Sequence, residues 1–187
     1  MKMILRCFAV TCLLLFSLSA FGDNDRRSHG FLMFSAGTST ISIMQLQLDT
    51  FDLAPFSVIE ERSIGTLGRA NSKTFSTVIT DDFGAPVVPD PEQCPDGFPI
   101  PIVITEDVTV LTFRDLSQLV GNVRTVVCLE PTSGKQGVRG EGHWSRGTQR
   151  FAGVTGGEFE LRSSATPGSA NSQFYTTAGV ISGRLER

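Results

Sequence analysis

Short segments in which apolar and polar residues alternate dominate the chain, and Gly, Pro, Asn and Asp separate them. A two-residue period is typical of β-strands, in which successive side chains point to opposite faces of a sheet. The clearest case is 158–162, where charged residues alternate strictly with Phe159 and Leu161. The pattern therefore predicts strands and turns rather than helices.

Two longer segments, 101–113 and 122–129, carry apolar residues on both faces. Such strands are expected where both faces of a sheet are covered or where one face lines an apolar cavity. Further strands are predicted at 31–35, 40–48, 58–61, 73–80 and 172–185. The last of these should pair with 158–163 across a turn at 166–169. The sequence thus predicts roughly eight to ten strands.

Three segments depart from the alternation. Residues 81–101 contain six prolines, which predicts a long irregular connection. Within 40–48 the alternation slips by one residue, as a β-bulge would produce. Only 113–120 has the apolar spacing of a helix, and this helix would be one or two turns long.

Residues 1–22 have the anatomy of a secretory signal peptide. Lys2 and Arg6 form a positive start, an apolar stretch follows at 8–16, and small residues at 20 and 22 precede Asp23. We expect 1–22 to be removed and 23–187 to form a single domain. The apolar stretch is too short to cross a bilayer and no later run is long enough, so no transmembrane segment is predicted. The mature protein should be secreted or periplasmic.

The charge balance argues against nucleic acid as a partner. The 187 residues include 16 Lys and Arg against 19 Asp and Glu, a formal net charge of -3. Such a chain has no basic surface to neutralise phosphates. Its length is enough for one hydrophobic core and calls for no second domain.

Two cysteines remain after the predicted signal peptide, Cys94 and Cys128. In an oxidising compartment they have one intramolecular pairing, and a bridge would stabilise the fold by about 2 to 4 kcal/mol. It would tie the proline-rich loop at 81–101 to a strand. The alternative is a reactive or metal-binding thiol.

The most specific local pattern runs from 140 to 156, GEGHWSRGTQRFAGVTG, directly before the alternating strand at 158–162. It resembles the glycine-rich segment of the allene oxide cyclase and dirigent-protein barrels and of small exported bacterial proteins related to them. The resemblance extends over 137–185. Arg146 and Gln149 stand where that family usually has glycine.

The resemblance implies an all-β, closed, mostly antiparallel barrel of about eight strands. Members of the family steer cyclisation of a fatty-acid epoxide or coupling of phenoxy radicals inside a hydrophobic barrel, and they often form dimers or trimers. A homo-oligomer is therefore compatible with the resemblance. None of the family's polar site residues aligns with this chain, so none is carried over.

Glycines in the same segment predict a barrel corner. Gly147, Gly153 and Gly156 can supply positive φ or close backbone approach, while Phe151 can pack beneath the turn as a plug. The alternative is a loop that cradles a phosphate. That alternative is weak because the segment matches neither GxGxxG nor a Walker sequence and no helical pattern follows it.

Few residues suggest catalysis or metal binding. The chain has two histidines and no GxSxG motif, so neither a His-rich metal site nor a hydrolase triad is predicted, and no cofactor is implied. His143 is a candidate acid or base, or a solvent-facing side chain. Glu60 and Glu61 are consecutive in a predicted strand and point to opposite faces, so they cannot share a site. Glu61 is our candidate for an inward-facing polar group, and the alternative is a solvated strand edge.

Trp144 and Tyr175 are the only Trp and Tyr of the chain. Each combines apolar area with a hydrogen-bond donor, which suits a ligand cavity, although core packing is the more common use. The leading hypothesis is an exported barrel that binds a small hydrophobic molecule with the help of these residues. The alternatives are a cyclase or isomerase that acts by confinement, and a structural or interaction protein of the cell envelope with a filled core.

Overall fold

The computed structural model describes residues 28–42, 56–169 and 174–187. It is a closed barrel in which each strand pairs antiparallel with its sequence neighbours and β1 pairs with β8. The strands are β1 (Ser28–Ser42), β2 (Phe56–Gly65), β3 (Gly68–Val78), β4 (Ile100–Phe113), β5 (Gln118–Leu129), β6 (Gln136–Gly147), β7 (Glu158–Pro167) and β8 (Phe174–Glu186). The predicted fold class, a closed antiparallel barrel of eight strands, is confirmed.

Several predicted strands are longer in the structure. The segment 31–35 and the start of 40–48 belong to one strand, β1, and the bulge predicted within 40–48 falls on positions outside the described residues. The predicted pairing of 158–163 with 172–185 is present as β7 with β8. The alternation of side chains accounts for this architecture, because one face of every strand points into the barrel and the other points out.

The predicted helix at 113–120 is wrong. Residues 114–117 form the tight turn between β4 and β5, in which Leu116 has φ 64° and is 71% exposed. An oxygen of Asp115 accepts a hydrogen bond from the Ser117 backbone N–H at 3.1 Å, which closes the turn locally. Leu116 lies in this turn, whereas Leu119 and Val120 lie at the start of β5. Their spacing matches that of a helix only by chance.

Large apolar side chains fill one half of the barrel interior, which we call the filled half. It lies toward the end that carries the β2–β3, β4–β5 and β6–β7 turns. Its buried residues are Phe31, Met33, Ala70, Leu111, Phe113, Leu119, Val123, Trp144, Phe151, Val154, Phe159, Ile181 and Leu185. These residues come from the β6–β7 connection and from every strand except β2, so the core connects most of the barrel wall at this end.

Arg150 ties three turns together across the end of the filled half. Its guanidinium carbon lies 4.4 Å from the centre of the Phe113 ring and 4.5 Å from that of Phe151. The same side chain donates hydrogen bonds to the Ser117 hydroxyl and to the Leu67 carbonyl, each at 3.0 Å. Stacking and hydrogen bonding by one arginine thus fix this end of the barrel.

The glycine-rich segment is a barrel corner, as predicted, at Gly147 and Phe151. A Cβ at Gly147 would lie 2.3 Å from the Phe151 carbonyl oxygen, and Phe151 is buried beneath the turn. The prediction is wrong for Gly153 and Gly156. A Cβ would meet nothing within 4 Å at Gly153 and only the Glu186 carboxylate, at 3.4 Å, at Gly156, and neither has a left-handed φ.

The position near this corner at which the backbone requires glycine is instead Gly157. Its φ is 117°, and a Cβ there would lie 2.1 Å from the Arg184 carbonyl oxygen on β8. A left-handed φ and close approach of a neighbouring strand both demand glycine. Gly157 follows directly on the segment that the resemblance covers most closely.

The proline-rich connection packs on the outside of the barrel. Cys94 and Cys128 lie at disulfide distance, with their sulfur atoms 2.03 Å apart, so the predicted pairing is confirmed. Cys128 alternates with the cavity-lining Val127 on β5 and therefore points outward. Phe98 occupies the space that a side chain at Gly137 would need, since a Cβ there would lie 2.4 Å from the Phe98 ring. The connection is thus fastened to the outer wall at β5 and β6.

Candidate functional site

A cavity of about 240 Å³ occupies the other half of the barrel interior, which we call the cavity half. All eight strands contribute inward-facing side chains to its lining. No residue of the proline-rich connection, which the structure describes throughout, is among them. Ligand pockets for drug-sized molecules begin at about 300 Å³, so this cavity suits a smaller molecule.

One wall of the cavity is polar. Inward positions of β3, β4 and β5 supply Thr74, Ser76, Thr105, Asp107, Thr109 and Thr125. Direct pairing brings these residues together, since Thr74 lies opposite Thr109, Ser76 opposite Asp107, and Thr105 opposite Thr125. Hydroxyl groups therefore cover an interior surface that apolar side chains cover in the filled half.

Hydrogen bonds link the side chains of the polar wall. The hydroxyls of Thr74 and Thr109 lie 2.9 Å apart, and those of Thr105 and Thr125 are also hydrogen-bonded. Thr125 lies within hydrogen-bond distance of Asp107 as well, with its hydroxyl oxygen 3.0 Å from Oδ2. The network fixes the rotamers of the wall.

Asp107 stands at the centre of this network and is 5% exposed. Its Oδ1 accepts no hydrogen bond from any described residue. Burial raises the pKa of this carboxyl above its ordinary value of 3.8, and the hydroxyls of Thr105, Ser76 and Thr125 oppose that rise. A buried carboxyl oxygen without a partner is costly, so the site favours a group that would pair with it.

The opposite wall and the floor are mostly apolar. Val138, Leu161 and Ala165 lie on β6 and β7, while Phe159 and Ile181 form the boundary with the filled half. The Phe159 ring stacks on Trp144, with centroids 4.4 Å apart. The cavity thus has an apolar side that can hold a hydrocarbon body and a polar side that can hold one functional group.

Glu61 lines the cavity, as expected for the inward member of the consecutive glutamates. Glu60 points outward and its carboxylate lies 2.9 Å from the Lys73 ammonium on β3. The alternation argument for these two residues therefore holds. Glu61 adds a second carboxyl group to the lining.

The structure does not bring the other three candidate ligand residues into the cavity lining. Trp144 is 1% exposed and packs in the filled half against Phe31 and Phe159. His143 is exposed on the outer face of β6, directly opposite Glu158. Tyr175 shares a face with its β1 partner Ser39, which lines the cavity, but it lies nearer the strand ends and is only half-buried.

Sequence reasoning missed Asp107 and the hydroxyl network. The signal was present in the polar residues at 105, 107 and 109, which recur with the two-residue period of a strand. The apolar residues on the other face of 101–113 concealed it. In this barrel the face of β4 that carries Thr105, Asp107 and Thr109 points inward. Polar residues are usually assigned to the solvent side of a strand, and that assignment is reversed here.

The described part of the chain offers neither a metal centre nor a membrane-spanning helix. The described ranges hold no group of three or more His, Cys, Asp or Glu side chains arranged to bind a metal ion. Within the same ranges no helix has the length and hydropathy needed to cross a bilayer.

Comparisons of the chain with protein-family models, curated proteins and solved structures each found no match. The resemblance to the allene oxide cyclase and dirigent barrels therefore stays a prediction.

Proposed function

We propose that this protein is an exported barrel that binds a small molecule with an apolar body and one polar group. The proposal places the ligand in the cavity half, with its polar group toward Asp107 and its body against β6 and β7. The filled half stabilises the barrel and takes no part in binding.

The observation that carries the proposal is the unpartnered Oδ1 of Asp107. A carboxyl group buried beside an empty volume lowers the stability of the fold unless something else uses it. Thr177, which also lines the cavity, has an unpartnered hydroxyl, whereas the other buried unpartnered atoms of the described residues, at Ser35, Ser63 and Trp144, lie outside the lining. Two unpaired polar groups on one cavity lining suit a binding site.

Asp107 also supports a second candidate, a cyclase or isomerase that works by confinement. Burial raises the pKa of Asp107, and a carboxyl group in such a desolvated site can exchange a proton with a bound substrate as a general acid or base. Turnover of a confined substrate that Asp107→Asn abolishes, while binding persists, would favour the enzyme. Binding without turnover favours the binding protein.

Export is part of the proposal. The paired cysteines suit an oxidising compartment, in keeping with the signal peptide predicted at 1–22. Intact-mass analysis of protein recovered from the medium or periplasm of an expressing cell tests this. A mature chain beginning at Asp23 with both cysteines oxidised supports export, and an unprocessed chain in the cytoplasm contradicts it.

Native mass spectrometry of protein purified from an expressing cell tests binding. We expect a small organic adduct on the wild type that Ala165→Phe removes, because Ala165 lines the cavity and a phenyl group would fill part of it. The control is Ala178→Phe, an exposed position on the outer face of the adjacent strand β8, which should keep the adduct. Adducts that persist equally in both variants would contradict binding in the cavity.

A further inference from the structure

The charged groups of the cavity are of one sign. Among the described residues that line it, Asp107 on β4 and Glu61 on β2 are the only titratable side chains, and none of these residues is Lys, Arg or His. A hydrophobic ligand with a carboxylate would therefore bring a third acidic group next to two others. Like charges at short range in a low-dielectric site repel strongly.

The two carboxyl groups differ in how much solvent reaches them. Asp107 is buried, whereas Glu61 is half-buried. Since folding already removes Asp107 from water, its cost of desolvation is met before a ligand arrives. A cation that reaches Oδ1 then gains the attraction of a charge that water no longer screens.

We infer that the ligand is a small organic cation, a primary ammonium group on a compact apolar body. This inference rests on the proposed function, because it names the class of molecule that the same cavity takes. The ammonium would donate to Oδ1 of Asp107 and could share its remaining protons with the hydroxyls of Ser76 and Thr109, which lie on the same wall. Three donors on a compact charge match one carboxylate oxygen among hydroxyl oxygens.

The apolar body would lie between Leu161, Ala165 and the ring of Phe159. An apolar cavity of about 150 Å³ accommodates benzene, so one of 240 Å³ has room for a phenyl ring with a short polar arm. Benzylamine, benzyl alcohol and benzoate share this body and differ in the charge of the arm. They serve as matched probes.

Isothermal titration of the wild type with the three probes at pH 7.5 tests the inference. Benzylamine should bind at least about tenfold more tightly than benzyl alcohol, because hydrogen bonds to an ionised partner are about twice as strong as neutral ones. Benzoate should show no binding. Equal binding of amine and alcohol overturns the inference while the proposed function stands, and no binding by any probe contradicts both.

Variants of the two carboxyl groups provide the controls. Asp107→Asn should remove the preference for the amine over the alcohol, and Glu61→Gln should reduce it. Glu60→Gln should leave it unchanged, since Glu60 points outward and pairs with Lys73. A preference that survives in both Asp107→Asn and Glu61→Gln would overturn the assignment.

The dependence on pH gives a readout that needs no variant. A primary ammonium stays charged below pH 8, so amine binding should weaken as pH falls and Asp107 takes up a proton. Because burial raises the pKa of Asp107, this loss should begin at a higher pH than for an exposed carboxyl. Alcohol binding should not weaken over the same range, and parallel losses for amine and alcohol would contradict a charge-based preference.

Discussion

The filled half and the cavity half of the barrel share the same eight strands but differ in the side chains that those strands direct inward. Along β4, inward positions change from Phe113 and Leu111 at one end to Thr109, Asp107 and Thr105 toward the other. Along β5 they change from Leu119 and Val123 to Thr125. One half is thus packed with apolar side chains, whereas the other combines hydrogen-bonding groups with apolar side chains such as Val103 and Val127.

This division separates stability from binding along each strand. Close-packed apolar side chains contribute most of the free energy of folding, so one well-packed half can tolerate an under-packed, polar half. The stacked pair Trp144 and Phe159 marks the boundary, since Phe159 belongs to the core and also borders the cavity. Three pairs of substitutions and one pH series test the comparison, from the largest expected effect to the smallest.

Removing one leucine from each half should have unequal effects. Leu119→Ala should lower the free energy of unfolding by about 3 to 5 kcal/mol, because Leu119 is fully buried and the substitution leaves a hole in a packed core. Leu161→Ala should cost about 1 to 2 kcal/mol, because Leu161 is partly buried and already borders a cavity. Urea unfolding of both variants measures the difference, and equal losses would contradict the division into halves.

The corner that closes the filled half should depend on Gly157 and not on Gly153. Gly157→Ala should cost about 2 to 4 kcal/mol, since a side chain there combines a left-handed φ with an overlap onto the β8 backbone. Gly153→Ala should leave stability unchanged or raise it by up to about 1 kcal/mol, because the added methyl meets open space. Thermal melts followed by circular dichroism decide this, and a costly Gly153→Ala would refute the corner geometry.

The cavity half should respond to pH through Asp107. Burial raises the pKa of Asp107 above 3.8 because the folded state disfavours the ionised carboxylate. The contribution of Asp107 to the free energy of unfolding is therefore highest below pH 3.8 and falls as pH rises through the raised pKa. Asp107→Asn lacks this titration. Urea unfolding from pH 3 to 8 should therefore show the wild type losing stability relative to the variant as pH rises. A difference that stays constant with pH, or changes in the other direction, would show that the carboxyl is not in a desolvated site.

The smallest expected effect concerns the two positions at which glycine is usual in the family that the segment resembles. Gln149 has φ 51°, so Gln149→Gly should raise the free energy of unfolding by about 0.5 to 1 kcal/mol. Arg146 lies in β6 without a left-handed φ, and Arg146→Gly should lower it by a similar amount. Chemical unfolding of both variants checks the signs, and a loss in Gln149→Gly would contradict the turn geometry.

The fold was predictable from sequence because it depends on a repeated local property. Alternation at 158–162 and the apolar segments at 101–113 and 122–129 identified β7, β4 and β5, and two remaining cysteines left one pairing. The turn at 114–117 was not predictable in the same way. Apolar residues on the turn and on the next strand have the spacing of a helix. The hydrogen bond between the Ser117 backbone N–H and Asp115 stabilises the turn instead.

The site was less predictable because it depends on which face of a closed sheet points inward. Alternation relative to Glu60 is enough to place Glu61, whereas the apolar neighbours of Asp107 obscure the same two-residue period. Trp144 and His143 both have chemistry that suits a ligand site, but Trp144 packs in the core and His143 lies on the outer face. Chemistry suggests candidates, whereas the register of neighbouring strands determines which of them meet.

Methyl NMR spectra of the wild type, titrated in parallel with benzylamine and benzyl alcohol, test the central claim most directly. Methyl signals of Thr109, Thr125 and Val127 in the cavity half should shift in a saturable manner, whereas those of Leu111 and Leu119 in the filled half should stay in place. The exposed Val108 on the outer face of β4 reports non-specific contact. Shifts confined to outer methyls such as Val108, or no shifts with either probe, would contradict a binding cavity in this half of the barrel.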